Sequence, residues 1–265
     1  MTGRARALPL PEFVVMLAAL FAMVAFSIDA MLPALPDIAL ELSPEAPNRA
    51  QLVLSSFIVG MGLGMLVAGP LADRFGRKPV ITGGIALYVL GAILAMAAQT
   101  IEALLAARLI QGLGVAGPRI AGQALLRDAC SGRRMAQISS FIMMIFVIVP
   151  AMAPYIGARI ADTAGWRGIF ACFVAIGLVM AAWLTLRQPE TLPRAHRRPI
   201  RLRVIAEALA EIGQDRLVMI YVLVLSLCFG ILIAMLSSIQ QLYAVTYDRA
   251  ESFPFWFMLS GLISG

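Results

Sequence analysis

Long apolar runs separated by short charged loops make up most of the chain. Seven such runs have 19 or more residues, so each is long enough to cross the ~30 Å hydrocarbon core of a bilayer as a helix. Backbone groups in lipid must be satisfied within a helix or a closed barrel, and the alternating pattern of barrel strands is absent from the sequence. The pattern predicts an all-α integral membrane protein with helices at residues 13–35, 51–72, 80–98, 102–126, 135–160, 166–186 and 217–240.

The loop at residues 188–215 is longer than the others and rich in arginine and proline. Four of its apolar residues recur at helical spacing, opposite charged positions, which predicts an amphipathic helix on the inner membrane surface. These four are Leu202, Ile205, Leu209 and Ile212.

The long loop divides the chain into three predicted parts. We expect a six-helix N-terminal bundle at 1–187, a cytoplasmic linker at 188–215 and the first one to two helices of a C-terminal bundle at 216–265. An eighth apolar run begins at Pro254, but the 13 residues from Phe253 onward are too few to cross a bilayer,. We therefore interpret the sequence as ending within a span.

The composition excludes a soluble globular domain. The chain is 61% apolar and 14% charged, with a mean hydropathy of +0.89, against about 45–50% and 25% in soluble domains. Its three cysteines lie far apart, and the single histidine, His196, falls in a polar stretch. We therefore expect no metal site, no Ser–His enzyme chemistry and no bound cofactor.

Lysine and arginine are distributed unevenly between the two sides of the predicted membrane. Fifteen lie in the N-terminal tail and the loops on its side, and four lie in the opposite loops. Positive loops stay inside, so the N-terminus and the linker are predicted to be cytoplasmic. Topology accounts for the net charge of +6, and no nucleic-acid partner is expected.

Two charged residues inside the spans are predicted to lie at the same depth. Asp29 is six residues from the outer end of the first span, and Arg108 is six residues from the outer end of the antiparallel fourth, so each is about 9 Å from the boundary. Buried ionisable groups normally face a partner or a water-filled cavity. We expect a functional pair whose proton affinity changes with conformation; a static ion pair that locks the two helices is the alternative.

Four further side chains are candidates for a substrate cavity within the membrane. Arg119 could line the cavity or extend to the cytoplasmic face, the two glutamines could face the cavity or bond between helices, and a methionine could adapt to varied apolar compounds or simply face lipid. The four are Gln111, Arg119, Gln123 and Met144.

The loop between the second and third spans reads GPLADRFGRKP, residues 69–79. A tight turn there requires Gly76, and Pro79 suits the first turn of the next helix. The acid among the cations is Asp73. A basic loop that only sets topology is the alternative interpretation.

This loop resembles the signature loop of the major facilitator superfamily, G-x-L-A-D-R-x-G-R-K. The resemblance implies a fold of two six-helix halves and a gating latch formed by the loop. In that role the acid engages a helix of the other half and the cations support it, which assigns the latch to Gly69, Asp73, Arg74, Gly76, Arg77 and Lys78.

Two further segments resemble motifs of the same superfamily. Residues 108–114 are similar to R-x-x-Q-G-x-G, which implies a part in proton transfer. Pro150, Pro154 and Gly157 resemble the motif of drug–proton antiporters, with Ala158 at the usual paired glycine.

Residues 29–36, 166–170 and 189–192 are most similar to the bicyclomycin and chloramphenicol resistance (Bcr/CflA) subfamily. The resemblance implies a non-enzymatic, monomeric, proton-driven exporter of drugs or other small amphipathic compounds, embedded in a bacterial inner membrane and needing only protons and its substrate as partners. Two alternatives remain: export or import of a native metabolite such as a sugar or an amino-acid derivative, and a truncated fragment that does not transport.

Overall fold

The computed structural model describes residues 8–197, 199, 207, 210–241 and 255–259. These residues form helices and turns, and no strand occurs among them. In chain order the α-helices are α1 Leu10–Asp29, α2 Leu35–Leu42, α3 Leu52–Phe75, α4 Arg77–Ala97, α5 Ile101–Ala129, α6 Gly132–Arg187 and α7 Arg216–Gln241. Short 3₁₀ turns lie at Leu32–Ala34, Pro47–Gln51 and Arg194–His196.

The chain forms two compact units. The first comprises Met1–Arg197 with Pro254–Gly265 and contains α1 to α6, and the second, Arg198–Phe253, contains α7. Most of the predicted amphipathic helix of the linker lies outside the described residues, as does most of the eighth apolar run. The division at 187 and 215 therefore stays a prediction.

Several described helical stretches are long and apolar enough to cross a membrane. They confirm the all-α membrane fold, and the helix ends fall within a few residues of the predicted boundaries for α3, α4, α5 and α7. α5, which carries Arg108 and Arg119, is not among these apolar stretches. The stretches are Leu10–Leu42, Pro47–Phe75, Arg77–Ala97, Gly132–Arg187 and Arg216–Met235.

The fifth and sixth predicted spans belong to one helical run, α6, that is interrupted at Gly165. The backbone there has φ 68° and ψ 177°, a conformation that is inexpensive only for glycine. The segment after Gly165 crosses the bundle from α2, where Trp166 hydrogen-bonds Glu41, back to the start of α1, where Trp183 hydrogen-bonds Glu12. The two predicted spans are thus joined by a single-residue break.

The first predicted span is not one continuous helix, which corrects the expectation for residues 13–35. α1 ends at Asp29, and a 3₁₀ turn precedes the short helix α2. Pro33 and Pro36 each lack an N–H and restrict the residue before them, so the α-helical ladder cannot run through this stretch. The break leaves carbonyl groups at the end of α1 without partners in their own helix.

Glycines bring α3, α4 and α5 into direct backbone contact. A Cβ on Gly60 of α3 would lie 2.2 Å from the carbonyl oxygen of Leu109 in α5, and a Cβ on Gly112 would lie 2.1 Å from that of Phe57. Gly84 of α4 meets Gly114 in the same way. Such close packing, typical of membrane helices, fixes α5 and therefore Arg108 in the middle of the bundle.

Candidate functional site

Arg108 of α5 is fully buried at the centre of the first unit and is hydrogen-bonded to two other helices and to its own. Its Nε donates to the carbonyl oxygen of Val53 at 3.2 Å, and one terminal nitrogen donates to that of Ser27 at 3.0 Å. The other terminal nitrogen donates to Gln111 Oε1 at 2.7 Å. The planar guanidinium therefore joins α1, α3 and α5 through one residue.

The break in α1 explains why Arg108 binds a carbonyl group there. The N–H of Ala30 closes the last backbone bond of the helix, to Phe26, and the next carbonyl, that of Ser27, accepts from Arg108. A cation is also favoured at the negative end of a helix dipole. The aromatic ring of Phe57, 4.3 Å from the guanidinium carbon, adds a cation–π contact,.

Asp29 is the last residue of α1 and is 5% exposed. Within the part of the chain that the structure describes, its carboxylate makes no hydrogen bond or ion pair, so the expected direct pair with Arg108 is not formed. Arg108 nevertheless lies beside the end of α1, because it donates to the carbonyl oxygen of Ser27, two residues before Asp29. The guanidinium is instead satisfied by carbonyl oxygens that the helix break makes available.

Gly157 of the antiporter-like segment packs directly on the break in α1. A Cβ at Gly157 would lie 2.1 Å from the carbonyl oxygen of Ala30, the residue after Asp29. Pro150 and Pro154 lie inside the same helical segment of α6. The end of α1 is thus enclosed by Arg108 on one side and by this segment on another.

The four predicted cavity residues occupy different environments. Gln111 is fully buried, and its Oε1 accepts from Arg108 one turn earlier in the same helix, α5, so its predicted place in a cavity stays a prediction. Arg119 is partly buried, with its guanidinium carbon 5.5 Å from the ring centroid of Phe21. Gln123 is exposed, and Met144 lies on an exposed apolar stripe of α6 at helical spacing. That stripe is formed by Phe141, Met144, Ile148 and Met152.

Segment 69–79 is helical except at Gly76, where α3 ends and α4 begins, and its charged side chains hold it to neighbouring parts of the bundle. Arg77 in the first turn of α4 pairs with Asp73 in the last turn of α3 and, at 3.3 Å, with Asp128 at the end of α5. Lys78 Nζ donates to the carbonyl oxygen of Thr185, 2.8 Å away, and the guanidinium carbon of Arg74 lies 5.3 Å from the neighbouring ring of Phe75. The gating role of the loop stays a prediction.

Glu190 caps the first turn of α4, although it lies 112 residues or more further along the chain. Its two carboxylate oxygens accept from the backbone N–H groups of Arg77, at 3.0 Å, and Lys78, at 3.1 Å. Gly76 precedes the helix with φ 108°, and a Cβ there would lie 2.3 Å from a Glu190 oxygen. Gly76 therefore supplies both the backbone conformation and the space that this carboxylate needs.

Removing the cap should destabilise the first unit modestly. Glu190→Ala is expected to cost about 1 kcal/mol, the usual effect of losing a helix N-cap, and to lower the apparent melting temperature in detergent by a few degrees. Gly76→Ala should cost more, but less in a Glu190→Ala background, where its new Cβ no longer meets the carboxylate. Glu45→Ala, at an exposed acid, is the control, and strictly additive effects of the Glu190 and Gly76 substitutions would contradict this arrangement.

Two residues of the Arg108 network were not found from the sequence. Tyr88 of α4 and Ser27 of α1 are fully buried, and their hydroxyl oxygens lie 2.6 Å apart. The sequence signal for both residues is a hydroxyl side chain within an apolar run. A buried tyrosine hydroxyl normally has a hydrogen-bond partner, so Tyr88 predicts a second polar group nearby. Within the described residues, no group of three histidine, cysteine, aspartate or glutamate side chains could hold a metal ion.

The chain is similar to known membrane transporters over nearly its whole length. The sequence profile described as Major Facilitator Superfamily matches residues 15–265. A bicyclomycin resistance protein homolog of Haemophilus influenzae is 32% identical over 94% of this chain and 62% of its own length. The multidrug resistance protein MdtL of Escherichia coli is 34% identical over 63% of this chain and 43% of its own.

Solved structures give the same fold. The crystal structure of a D-xylose–proton symporter superposes with a TM-score of 0.70 at 17% sequence identity, covering 95% of this chain and 66% of that one. The chain spans about 60% of the length of the curated relatives that it matches over 90% or more of its own residues.

Proposed function

This chain belongs to the major facilitator superfamily, and from that premise we propose that the full-length protein exports drugs or other small amphipathic compounds in exchange for protons. The names of the two relatives above, which refer to bicyclomycin resistance and to multidrug resistance, support export of antibiotics. The proposed location is a bacterial inner membrane, with the N-terminus in the cytoplasm as the distribution of basic residues favours. We propose a monomer that needs no cofactor and is driven by the proton gradient.

The observation that carries this proposal is the Asp29 carboxyl group. It lies at the end of a broken helix, almost buried, without an ion-pair partner among the described residues. An isolated carboxylate is costly in an apolar environment, so the charge on Asp29 depends on how far water reaches it. A conformational change that alters this exposure would make Asp29 bind and release a proton, which is what coupling requires.

Arg108 contributes a fixed positive charge at the Ser27 carbonyl oxygen, two residues before Asp29. Its guanidinium is satisfied by two carbonyl oxygens and an amide oxygen, so it needs no carboxylate to be stable where it is. Asp29 can therefore change its charge without leaving Arg108 unpaired. In alternating access, a proton would travel inward on Asp29 while the compound travels outward from a site between the two halves.

The exposed apolar stripe of α6 supports an amphipathic substrate. Its two methionines have flexible, polarisable side chains that adapt to ligands of different shape. The stripe belongs to the helical segment whose Gly157 touches the residue after Asp29. A substrate site on this segment of α6 would therefore lie on the same element that contacts the proton site, so that binding at one site can influence the other.

Asp29→Asn in the full-length protein is expected to abolish proton-driven export, because an asparagine side chain does not bind and release a proton as a carboxyl group does. The measurement is accumulation of bicyclomycin by inverted membrane vesicles under an imposed proton gradient. Asp37→Asn, at an exposed acid of α2, is the matched control and should transport as the unmodified protein does. Unchanged transport by Asp29→Asn would remove this carboxyl group from the mechanism.

A further inference from the structure

Tyr88 and Arg108 hold Ser27 from two sides. The Ser27 hydroxyl donates to the carbonyl oxygen of Met23 at 2.6 Å, and because serine has one hydroxyl hydrogen, the 2.6 Å contact between Ser27 and Tyr88 must use the hydrogen of Tyr88. The carbonyl oxygen of Ser27 meanwhile accepts from Arg108. The last turn of α1 is therefore tied to α4 through a side chain and to α5 through its backbone.

Close packing fixes the position of Tyr88. A Cβ on Gly114 of α5 would lie 2.3 Å from the Tyr88 nitrogen, and a Cβ on Gly177 of α6 would lie 3.3 Å from its ring. The ring centroid is also 6.4 Å from that of Phe173. A phenol held on three sides positions its hydroxyl with little freedom, so it is the group that fixes Ser27.

One donor in this network is unused. Gln111 Nε2 is buried and has no hydrogen-bond partner among the described residues, and Gln111 packs directly against Gly91, which follows Tyr88 by one turn of α4. The Tyr88 oxygen, which donates to Ser27, keeps the capacity to accept. A small movement of the amide would therefore complete a chain from Arg108 through Gln111 and Tyr88 to Ser27.

We propose that Tyr88 is a positioning residue for Asp29, acting through Ser27 at the end of α1. By holding Ser27, it keeps the last turn of the helix in place and keeps Arg108 on the Ser27 carbonyl oxygen, so that the Asp29 carboxyl group stays free of a permanent ion pair. Tyr88 itself is fully buried, and the hydroxyl group that it holds belongs to Ser27, two residues before Asp29. This inference rests on the proposed proton coupling and adds α4 to the elements that control it.

The test separates coupling from transport as such. Full-length Tyr88→Phe is reconstituted in proteoliposomes, and bicyclomycin movement is measured as exchange without a proton gradient and as accumulation driven by one. We expect driven accumulation to fall about fivefold or more, roughly the equilibrium effect of one buried hydrogen bond, while exchange stays within about twofold of the unmodified protein. Ser27→Ala should behave alike, and the double variant should be no worse than either single one.

Thr82→Val is the matched control, because the Thr82 hydroxyl lies on the same helix and, among the described residues, bonds only the carbonyl oxygen of Lys78 one turn earlier. It should leave both assays unchanged. A parallel loss of exchange and driven accumulation in Tyr88→Phe would indicate a purely structural role and overturn the inference, as would no loss in either assay. Absence of both activities in the unmodified protein would instead overturn the proposed function.

Discussion

Gly60→Ala is expected to destabilise the six-helix unit strongly, whereas Gly62→Ala, two residues further along the same helix, is expected to be tolerated. A Cβ on Gly60 would lie 2.2 Å from the carbonyl oxygen of Leu109, while nothing lies within 4 Å of a Cβ on Gly62. The obstacle is backbone, which cannot rotate away as a side chain can. The helices α3 and α5 would have to separate.

The expected size of this effect is about 3 kcal/mol or more, at the upper end of what overpacking costs. Both substitutions gain the same roughly 1 kcal/mol of helix propensity, so the difference between them isolates the contact. Separation of the helices would also pull Arg108 of α5 from the carbonyl oxygen of Val53 in α3. Folding and the geometry of the proposed coupling site therefore depend on the same glycine.

The measurement is the apparent melting temperature of the purified protein in detergent, followed by loss of its monodisperse gel-filtration peak. Gly60→Ala should melt about 5 °C or more below the unmodified protein or fail to accumulate in membranes. Gly62→Ala should melt at or slightly above the unmodified protein. Equal melting temperatures for the two variants would show that α3 and α5 are not packed as described.

Helix positions were predictable because their determinant is local. Apolar runs bounded by charges gave α3, α4, α5 and α7 to within a few residues, since the bilayer requires long apolar segments whatever the tertiary structure. The break after Asp29 was missed although Pro33 and Pro36 were visible, because the run remains apolar across it. Hydropathy reports burial in lipid and does not report where a helical ladder ends.

The sequence allows a prediction of the level of Asp29 and Arg108 along their helices, but not of the hydrogen-bond partners of Arg108. Counting residues from the outer ends predicts Asp29 and Arg108 at one level, and in the structure Arg108 contacts Ser27, two residues before Asp29. The partner of Arg108 could not be predicted, because the carbonyl oxygen it binds becomes free only when α1 ends at Asp29. The role of Glu190 could not be predicted for the same reason, since it caps the backbone amides of Arg77 and Lys78, more than a hundred residues away in sequence.

Arg108→Lys is expected to abolish most proton-driven export even though it keeps the positive charge. The guanidinium reaches acceptors on α1, α3 and α5 with three different nitrogens, whereas an ammonium is a single point with a different reach. At least one buried acceptor, the Ser27 carbonyl oxygen or Gln111 Oε1, would lose its partner. Each unpaired group costs about 1–3 kcal/mol.

Arg108→Leu should lose export completely and lower the apparent melting temperature, because both of those acceptors are then unpaired and the contact with Phe57 is reduced to packing. Comparing the two variants separates the effect of the charge from that of the hydrogen-bond geometry. Arg108→Lys keeps the positive charge but loses the geometry, whereas Arg108→Leu loses both. Arg159→Lys, at an arginine whose side chain is 69% exposed, is the matched control and should be neutral in both assays. If Arg108→Lys exported bicyclomycin as well as the unmodified protein, a positive charge near Asp29 would suffice, and the three-helix bonding of the guanidinium would have no part in coupling.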